Sequence, residues 1–319
     1  MSTESTAPRA QAAPRVGRIG QRGRANKGGK GPRYARTGYL FVAPFMIGFT
    51  AMFLVPLAYA AWFSLFREQM IGGNVFVGLD NYTRAFTDPQ LIAGLGRVAL
   101  FFLIQVPLMM VLALFFALAL DSALLRLSRT IRLAIFMPYA VPSVVAALMW
   151  GFLYGPDFGP LAQLADRIGA AAPDFLGADL MLGSIANIVT WEFTGYNMIL
   201  LYAALRAIPT ELYEAAAVDG AGPWRTAWSI KIPLLRPAIV LCMVFSVIGS
   251  FQLFNEPSIM RTLAPNVIVA DYTPNLYAYN LAFVGQEYNY AAAVSFVLGF
   301  VIMAGSYLFM LATNRRSRS

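Results

Sequence analysis

Glu211-Leu-Tyr-Glu-Ala-Ala-Ala-Val-Asp-Gly-Ala-Gly-Pro-Trp-Arg-Thr-Ala-Trp-Ser-Ile-Lys-Ile-Pro-Leu-Leu-Arg-Pro237 is a polar interruption between two apolar runs. Pro209 and Thr210 open a short helix with Glu211 and Glu214 in its first turn, where carboxylates meet the positive end of the helix dipole. Gly220 and Gly222 close it. Pro223 suits the first turn of a second short helix, with Trp224, Trp228 and Ile232 apolar and Arg225, Thr226 and Lys231 polar, before Pro233 breaks the chain again. The pattern predicts a compact helix-turn-helix knob.

The apolar runs on either side belong to a membrane protein. A chain of 319 residues that is 58% hydrophobic and 13% charged carries more apolar side chain than a soluble core of its length uses. It contains no His, and its single cysteine, Cys242, lies inside an apolar run, which excludes a disulfide framework and a Cys/His metal site within the chain.

Six spans are expected, at residues 39–66, 98–120, 133–156, 180–205, 237–255 and 288–314, against the roughly 20 helical residues that cross a bilayer. Prolines 44, 56, 107, 138 and 142 fall within them and mark candidate kinks, since bundled membrane helices re-satisfy the freed backbone groups. The first run is too long for a secretory signal and has no small-residue cleavage site after it, so it reads as an uncleaved anchor. Tyr288 and Tyr290 read as interface anchors.

The net charge of +8 raises nucleic acid as a partner, but most basic residues flank apolar runs on alternate sides. Residues 1–38 carry nine Lys and Arg with Glu4 as the lone acid and are expected to be a disordered basic tail in the cytoplasm, touching anionic lipid rather than RNA. With that end inside, the inner loops hold Arg126, Arg129, Arg132, Arg206, Arg225, Lys231 and Arg236, and the carboxyl tail Arg315, Arg316 and Arg318. The outer loops hold most of the acids, including Asp80, Asp88, Asp157, Asp271 and Glu287. This asymmetry places both termini and the 209–237 loop in the cytoplasm.

The spacing of that loop resembles the EAA loop of ATP-binding-cassette importer permeases: Glu214-Ala215-Ala216, three residues, Gly220, nine residues, Ile230, then Pro233, with Ile232 where the family usually has Leu. An ordinary cytoplasmic loop that merely reverses the chain is the alternative, and six matched positions at fixed spacing stand against it. Further segments resemble the carbohydrate, maltose-permease-like branch: 78–86 after span one, Trp191, 203–209 leading into the loop, and 251–257 after span five. The Thr-x-Gly-Gly-Pro segment common in that branch is absent, and residues 261–275 replace it, so the identity of the sugar, or whether the cargo is a sugar, stays open.

The resemblance covers roughly residues 39–313 and implies an all-α, polytopic, six-helix MetI-like permease fold in a bacterial cell membrane. It implies that Glu214, Ala215, Ala216, Asp219, Gly220, Ile230 and Pro233 couple the chain to a cytoplasmic ATPase, with Glu214 pairing with a basic residue there. It further implies a second homologous permease forming the other half of the pore, two ATP-binding subunits holding ATP and Mg, an extracytoplasmic solute-binding protein, and a mono- or oligosaccharide cargo. This chain itself binds no cofactor, and no Gly-x4-Gly-Lys-[Ser/Thr] loop is present, so ATP is hydrolysed elsewhere.

The pathway is expected along spans four and five. A carboxylate at mid-span costs about 2.5–3.5 kcal/mol even on permissive insertion scales, so Glu192 is expected to face a wet cavity or a partner residue. Asn187, Trp191, Thr194 and Met198 share a helical stripe, with Thr190 and Asn197 close beside it. Trp191, Tyr196 and Asn197 supply flat faces and amides suited to sugars, and Ser250, Phe251, Gln252 and Asn255 on span five complete a shallow site. Polar side chains also bond helices together, and Gly195, Gly249 and Ser250 also permit close packing.

Two other classes fit the chain less well. A membrane enzyme lacks any His, metal-spaced Cys or nucleophile motif to work with. A secondary transporter or channel leaves the two-helix knob without a task.

Overall fold

The computed structural model describes residues 32–69, 72–122 and 127–315; the basic tail lies outside them as far as residue 31. The chain divides into two units after Val55. In the first, α1 (Pro32–Phe49) is followed by a π turn at Thr50–Leu54, so helix begins seven residues ahead of Tyr39. Its apolar side chains, Leu40, Phe45 and Ile47 among them, are exposed, as suits a helix whose solvent is hydrocarbon.

The second unit opens at Pro56, within α2 (Val55–Phe63). Span one therefore stops at Phe63 and not at Phe66, because the chain turns into a hairpin of β1 (Phe66–Gln69) and β2 (Gly73–Phe76), paired antiparallel with Phe66 opposite Phe76. This hairpin was not expected in an all-α chain. Gly72 and Gly73 turn it with φ of 110° and 73°, which only glycine adopts cheaply. The Asn81 amide of α3 (Asp80–Thr87) binds its base by donating to the Ser64 and Phe66 carbonyls at 2.8 and 2.7 Å.

Asp88 caps α4 (Pro89–Asp121), accepting from the Gln90 and Leu91 amides, while Pro89 fits the first turn. At 33 residues this helix is about 50 Å long, well beyond the ~30 Å hydrocarbon core, so the expected span at 98–120 is only its C-terminal two thirds.

The third expected span is corrected more deeply. α5 (Ser128–Phe136), a 3-10 turn at Met137–Ala140 and α6 (Ser143–Leu153) replace one straight helix, and the two arms are bent by 96°. Pro142 holds Val141 in an extended conformation (φ −79°, ψ 128°), which ends the first arm, and then starts the second.

After α7 (Pro160–Arg167) comes α8 (Met181–Arg206), then α9 (Thr210–Val218), α10 (Pro223–Thr226) and α11 (Ile232–Phe251). The chain ends with α12 (Asn255–Leu263), α13 (Pro274–Phe283) and α14 (Tyr288–Arg315). Among the described residues four helical stretches are long and apolar enough to span, Gly38–Phe63, Pro89–Asp121, Pro223–Phe251 and Tyr288–Leu311, and the bent pair makes a fifth if counted as one. The fourth expected span, 180–205, is α8, long enough at 26 residues but made too polar by Asn187, Glu192 and Asn197. It is instead well enclosed in the bundle, lying along α4 and touching α5, α6 and α11, and so has little need of a lipid-facing side.

α8 lies close against the broken span where Gly195 crosses the backbone of Ile135 and Phe136. Apolar packing then holds both halves of the bundle. Phe101, Met181, Ile185, Ile188 and Met260 fill the half near α12, and Val106, Met198, Leu201, Leu205 and Leu235 fill the half near α9. Tyr290, expected at a membrane interface, is 2% exposed and donates its hydroxyl to Asp88 Oδ2 at 2.6 Å, beside the Tyr277 hydroxyl at 2.7 Å. Tyr288 is exposed.

Candidate functional site

A cavity of about 290 Å³ opens between α4, α6, α8, α11 and the start of α12. Gln105 and Met109 line it from α4, Ser143 from α6, and Val189, Phe193, Tyr196 and Asn197 from α8. Phe245, Ser246, Gly249 and Ser250 face it from α11, with Gln252, Phe254, Asn255 and Glu256 at the α11–α12 turn. The lining mixes amides and hydroxyls with aromatic rings, has no basic residue, and has one carboxylate, Glu256.

Hydrogen bonds hold several of these side chains in place. Gln105 Nε2 donates to Thr190 Oγ1 and to Met109 Sδ, both at 3.4 Å, and Asn197 Nδ2 donates to the Phe193 carbonyl at 3.0 Å. Ser246 Oγ donates to the Cys242 carbonyl at 2.9 Å, and Asn255 Nδ2 reaches Ser143 Oγ at 2.9 Å across the mouth. The 3-10 turn of the broken span sets Tyr139 on Tyr196, stacked at 4.8 Å, and edge-on to Phe193 at 5.7 Å, so the bend leans on the aromatic part of the wall.

Of the residues expected along the pathway, Tyr196, Asn197, Ser250, Gln252 and Asn255 meet in this cavity. Trp191 does not line it: it packs edge-on against Trp150 at 5.9 Å in the apolar core. The rest of its stripe is likewise spent on packing. Asn187 donates to the Tyr154 hydroxyl, Thr194 to the Thr190 carbonyl, and Met198 is fully buried. The cavity face of α8 is the one carrying Val189, Phe193, Tyr196 and Asn197. Phe251 also stands outside the lining, its carbonyl accepting from Asn275 Nδ2. Glu192 is 3% exposed, lies behind the lining, and its Oε2 has no hydrogen-bond partner among the described residues.

Gln105, Met109, Ser143, Phe193 and Glu256 are lining residues the sequence reading did not single out. Gln105 had a signal, as an amide alone in an apolar run. Glu256, 6% exposed, sits one residue past the end assigned to span five.

The second site is the knob at the opposite end of α8 and α11. α9 starts after Pro209 as expected, with Glu211 in its first turn and Glu214 one turn on. It ends in a paired closure: the Gly220 amide donates to Ala217 O at 3.1 Å and the Ala221 amide to Ala216 O at 2.9 Å. Gly220 is left-handed at φ 73°, which explains a glycine there. Glu214, Ala215, Asp219 and Gly220 are exposed, Ile230 is half-buried, and Ala216 is turned inward at 7%.

Pro233 does not break the chain. α10 passes through a π turn at Ala227–Lys231, closed by the Ile232 amide on Ala227 O, directly into α11 with Pro233 in its first turn. The wider turn absorbs the missing proline amide and its ring, which a continuous α-helix would not. The knob leaves Val218, Trp224 and Trp228 exposed at 88, 77 and 65%, an apolar surface beside the acidic Glu211 and Glu214. Behind it, Lys231 Nζ meets Asp121 Oδ2 at 2.5 Å and lies 5.1 Å from the Tyr213 ring. No group of three or more His, Cys, Asp or Glu suited to a metal ion occurs among the described residues.

Comparison with known proteins identifies the family and the fold. The model of the family described as binding-protein-dependent transport system inner membrane component matches residues 109–316. The chain is 32% identical over 292 residues to the lactose transport system permease protein LacF of Rhizobium radiobacter, covering 89% of this chain and 96% of that one. It is 32% identical to the sn-glycerol-3-phosphate transport system permease protein UgpA of Escherichia coli O157:H7, covering 83 and 90%. With the trehalose/maltose transport system permease protein MalF of Thermococcus litoralis it shares 28%, covering 90 and 96%. Its fold matches that of a chain in a crystal structure of a bacterial ABC transporter involved in the import of the acidic polysaccharide alginate, with a TM-score of 0.77 at 18% identity over 89 and 96% of the two chains.

Proposed function

Because the chain belongs to the family of inner membrane components of binding-protein-dependent transport systems, we propose that it forms half of the import pathway for a sugar or oligosaccharide and couples that pathway to a separate ATPase through residues 209–237. The family is one of transport components, so the chain is a transport subunit and not an enzyme.

The observation that carries the sugar reading is the cavity lining. Amides and hydroxyls on Asn197, Gln105, Ser250 and Asn255 match sugar hydroxyls, and the faces of Tyr196, Phe193 and Phe245 match the apolar C–H faces of a pyranose. Relatives named for lactose and trehalose/maltose transport support the same class. A non-sugar solute is the second reading, favoured by the glycerol-phosphate relative; the absence of any basic residue in the lining weighs against an anionic cargo.

Orientation follows from the basic inner loops: both termini and the knob lie in the cytoplasm and the α12–α13 end faces outward. There the exposed apolar side chains of the knob, with Glu214 beside them, are the surface for one of two ATP-binding subunits that carry ATP and Mg. A second homologous permease completes the pore, and a solute-binding protein delivers cargo at the outer end, as the name of the family supports. Uptake of labelled lactose, trehalose, maltose and arabino-oligosaccharides by cells with and without this chain tests the cargo class. Chain-dependent uptake of one of them is expected. Chain-dependent uptake of a non-carbohydrate solute alone would overturn the sugar reading.

A further inference from the structure

The knob is continuous with α8 and α11 but not with α4, although α4 contributes Gln105 and Met109 to the cavity wall. One ion pair among the described residues joins α4 to the knob: Asp121, the last residue of α4, with Lys231, the last residue of the π turn, 110 positions along the chain. Their side chains are only 7 and 16% exposed, although they stand at the end of the bundle. Tyr213 of α9 packs on the same ammonium, and its own hydroxyl is buried with no hydrogen-bond partner among the described residues. Burial, followed by the Asp121 carboxylate, raises the ionisation of that phenol above its ordinary value, while Arg206 opposes the shift, so the ring stays neutral against the pair.

A buried ion pair contributes little net stability, since desolvation offsets the attraction; what it fixes is position. Here it fixes α9, the π turn and the end of α4 to one another. Single π turns inside helices occur frequently at functional sites, and Lys231 is the last residue of this one. From Asp121, α4 runs about 24 Å to Gln105.

We propose that Asp121, Lys231 and Tyr213 form the joint that delivers movement of the knob to α4, and so to the cavity wall. This rests on the reading of the knob as the ATPase-coupling element. Asp121 and Lys231 are positioning residues: they touch neither cargo nor nucleotide, and they set how far a push on α9 is felt at Gln105.

The test uses the assembled complex and needs no knowledge of the cargo. Gln252→Cys, exposed in the cavity lining, reports access through its rate of labelling by a membrane-impermeant maleimide, with no nucleotide or with ATP and vanadate. Val218→Cys, at the tip of the knob, reports docking by cross-linking to the ATP-binding subunit. In the double variant Asp121→Asn/Lys231→Met both charges go, so neither is stranded. That variant is expected to keep the Val218→Cys cross-link and ATP hydrolysis, and to lose about 5-fold or more of the nucleotide-dependent change at Gln252→Cys, the low end of ordinary allosteric coupling. Lys231→Arg, which keeps the pair, is expected to retain that change. If the double variant does not assemble, Asp121→Glu replaces it, with a smaller loss expected in the same readout. A full nucleotide-dependent change in the double variant, or in Asp121→Glu where that replaces it, would overturn the joint alone. No Val218→Cys cross-link in the otherwise native complex would overturn the coupling reading and the joint with it.

Discussion

Gly195→Ala tests whether α8 and the broken span are as close as the fold places them. A Cβ at position 195 would overlap the Ile135 carbonyl oxygen and stand 2.7 Å from Phe136 Cα and 2.8 Å from the Ile135 carbonyl carbon. Carbon atoms in contact prefer roughly 3.5–4.0 Å, so α8 would have to retreat by about 1 Å from a backbone that cannot rotate away. Overpacking of this kind costs typically ~1–3 kcal/mol. The retreat also separates Tyr196 from Tyr139, which stack at 4.8 Å on the cavity wall. Thermal melting of the purified complex in detergent is the assay, with Gly183→Ala on the same helix as control, because a Cβ there meets nothing within 4 Å. Gly195→Ala is expected to melt lower by that amount and to lower uptake, and Gly183→Ala to stay within about 0.5 kcal/mol. Equal melting of the two would refute the close crossing.

Gly220→Ala is expected to cost about 1–2 kcal/mol of knob stability, because position 220 is left-handed at φ 73°, measurable as faster hydrogen exchange over α9. Gly220→Pro and Glu214→Arg are expected to uncouple ATP hydrolysis from uptake, and native uptake in both would contradict the knob's role. Asp88→Ala removes the α4 cap and the acceptor for Tyr277 and Tyr290, and is expected to lower the melting free energy by about 1–3 kcal/mol. Burial pushes the Asp88 carboxyl up, but hydrogen bonds from Tyr290, Tyr277 and the Gln90 and Leu91 amides outweigh it and hold it below 3.8. Its contribution is therefore present above the ordinary carboxylate value and lost as pH falls through the depressed one, so an acid melting series should show native and Asp88→Ala proteins converging only below the ordinary carboxylate range. Glu192→Gln is expected to lower uptake with the complex assembled; loss of assembly at normal expression would make Glu192 a packing residue.

The knob was legible because its signals are local. Pro209, Gly220 and Pro223 act on their own backbone, and α9 and α10 begin and α9 ends where those residues require. Runs such as 288–314 were legible from apolarity alone. What the sequence hid was non-local or depended on compensation. Pro233 reads as a break until the π turn that ends two residues earlier is known to make room for it. The pair of prolines at 138 and 142 marks a kink, but whether the kink is slight or 96° depends on what the two arms pack against. On α8 the polar stripe containing Asn187 and Trp191 and the one containing Tyr196 and Asn197 have similar composition, and only the neighbours Tyr154 and Trp150 decide which turns into the core. Tyr290 looked like an interface aromatic because its acceptor, Asp88, lies 202 residues away.

The central claim is that this chain moves solute only as part of an ATP-driven assembly, and affinity purification of the tagged chain in mild detergent, followed by reconstitution into proteoliposomes, tests it most directly. The account predicts co-purification of a second homologous permease and an ATP-binding subunit, with uptake that requires ATP and a solute-binding protein. A chain that purifies alone and accumulates solute without ATP, driven by an ion gradient, would contradict it.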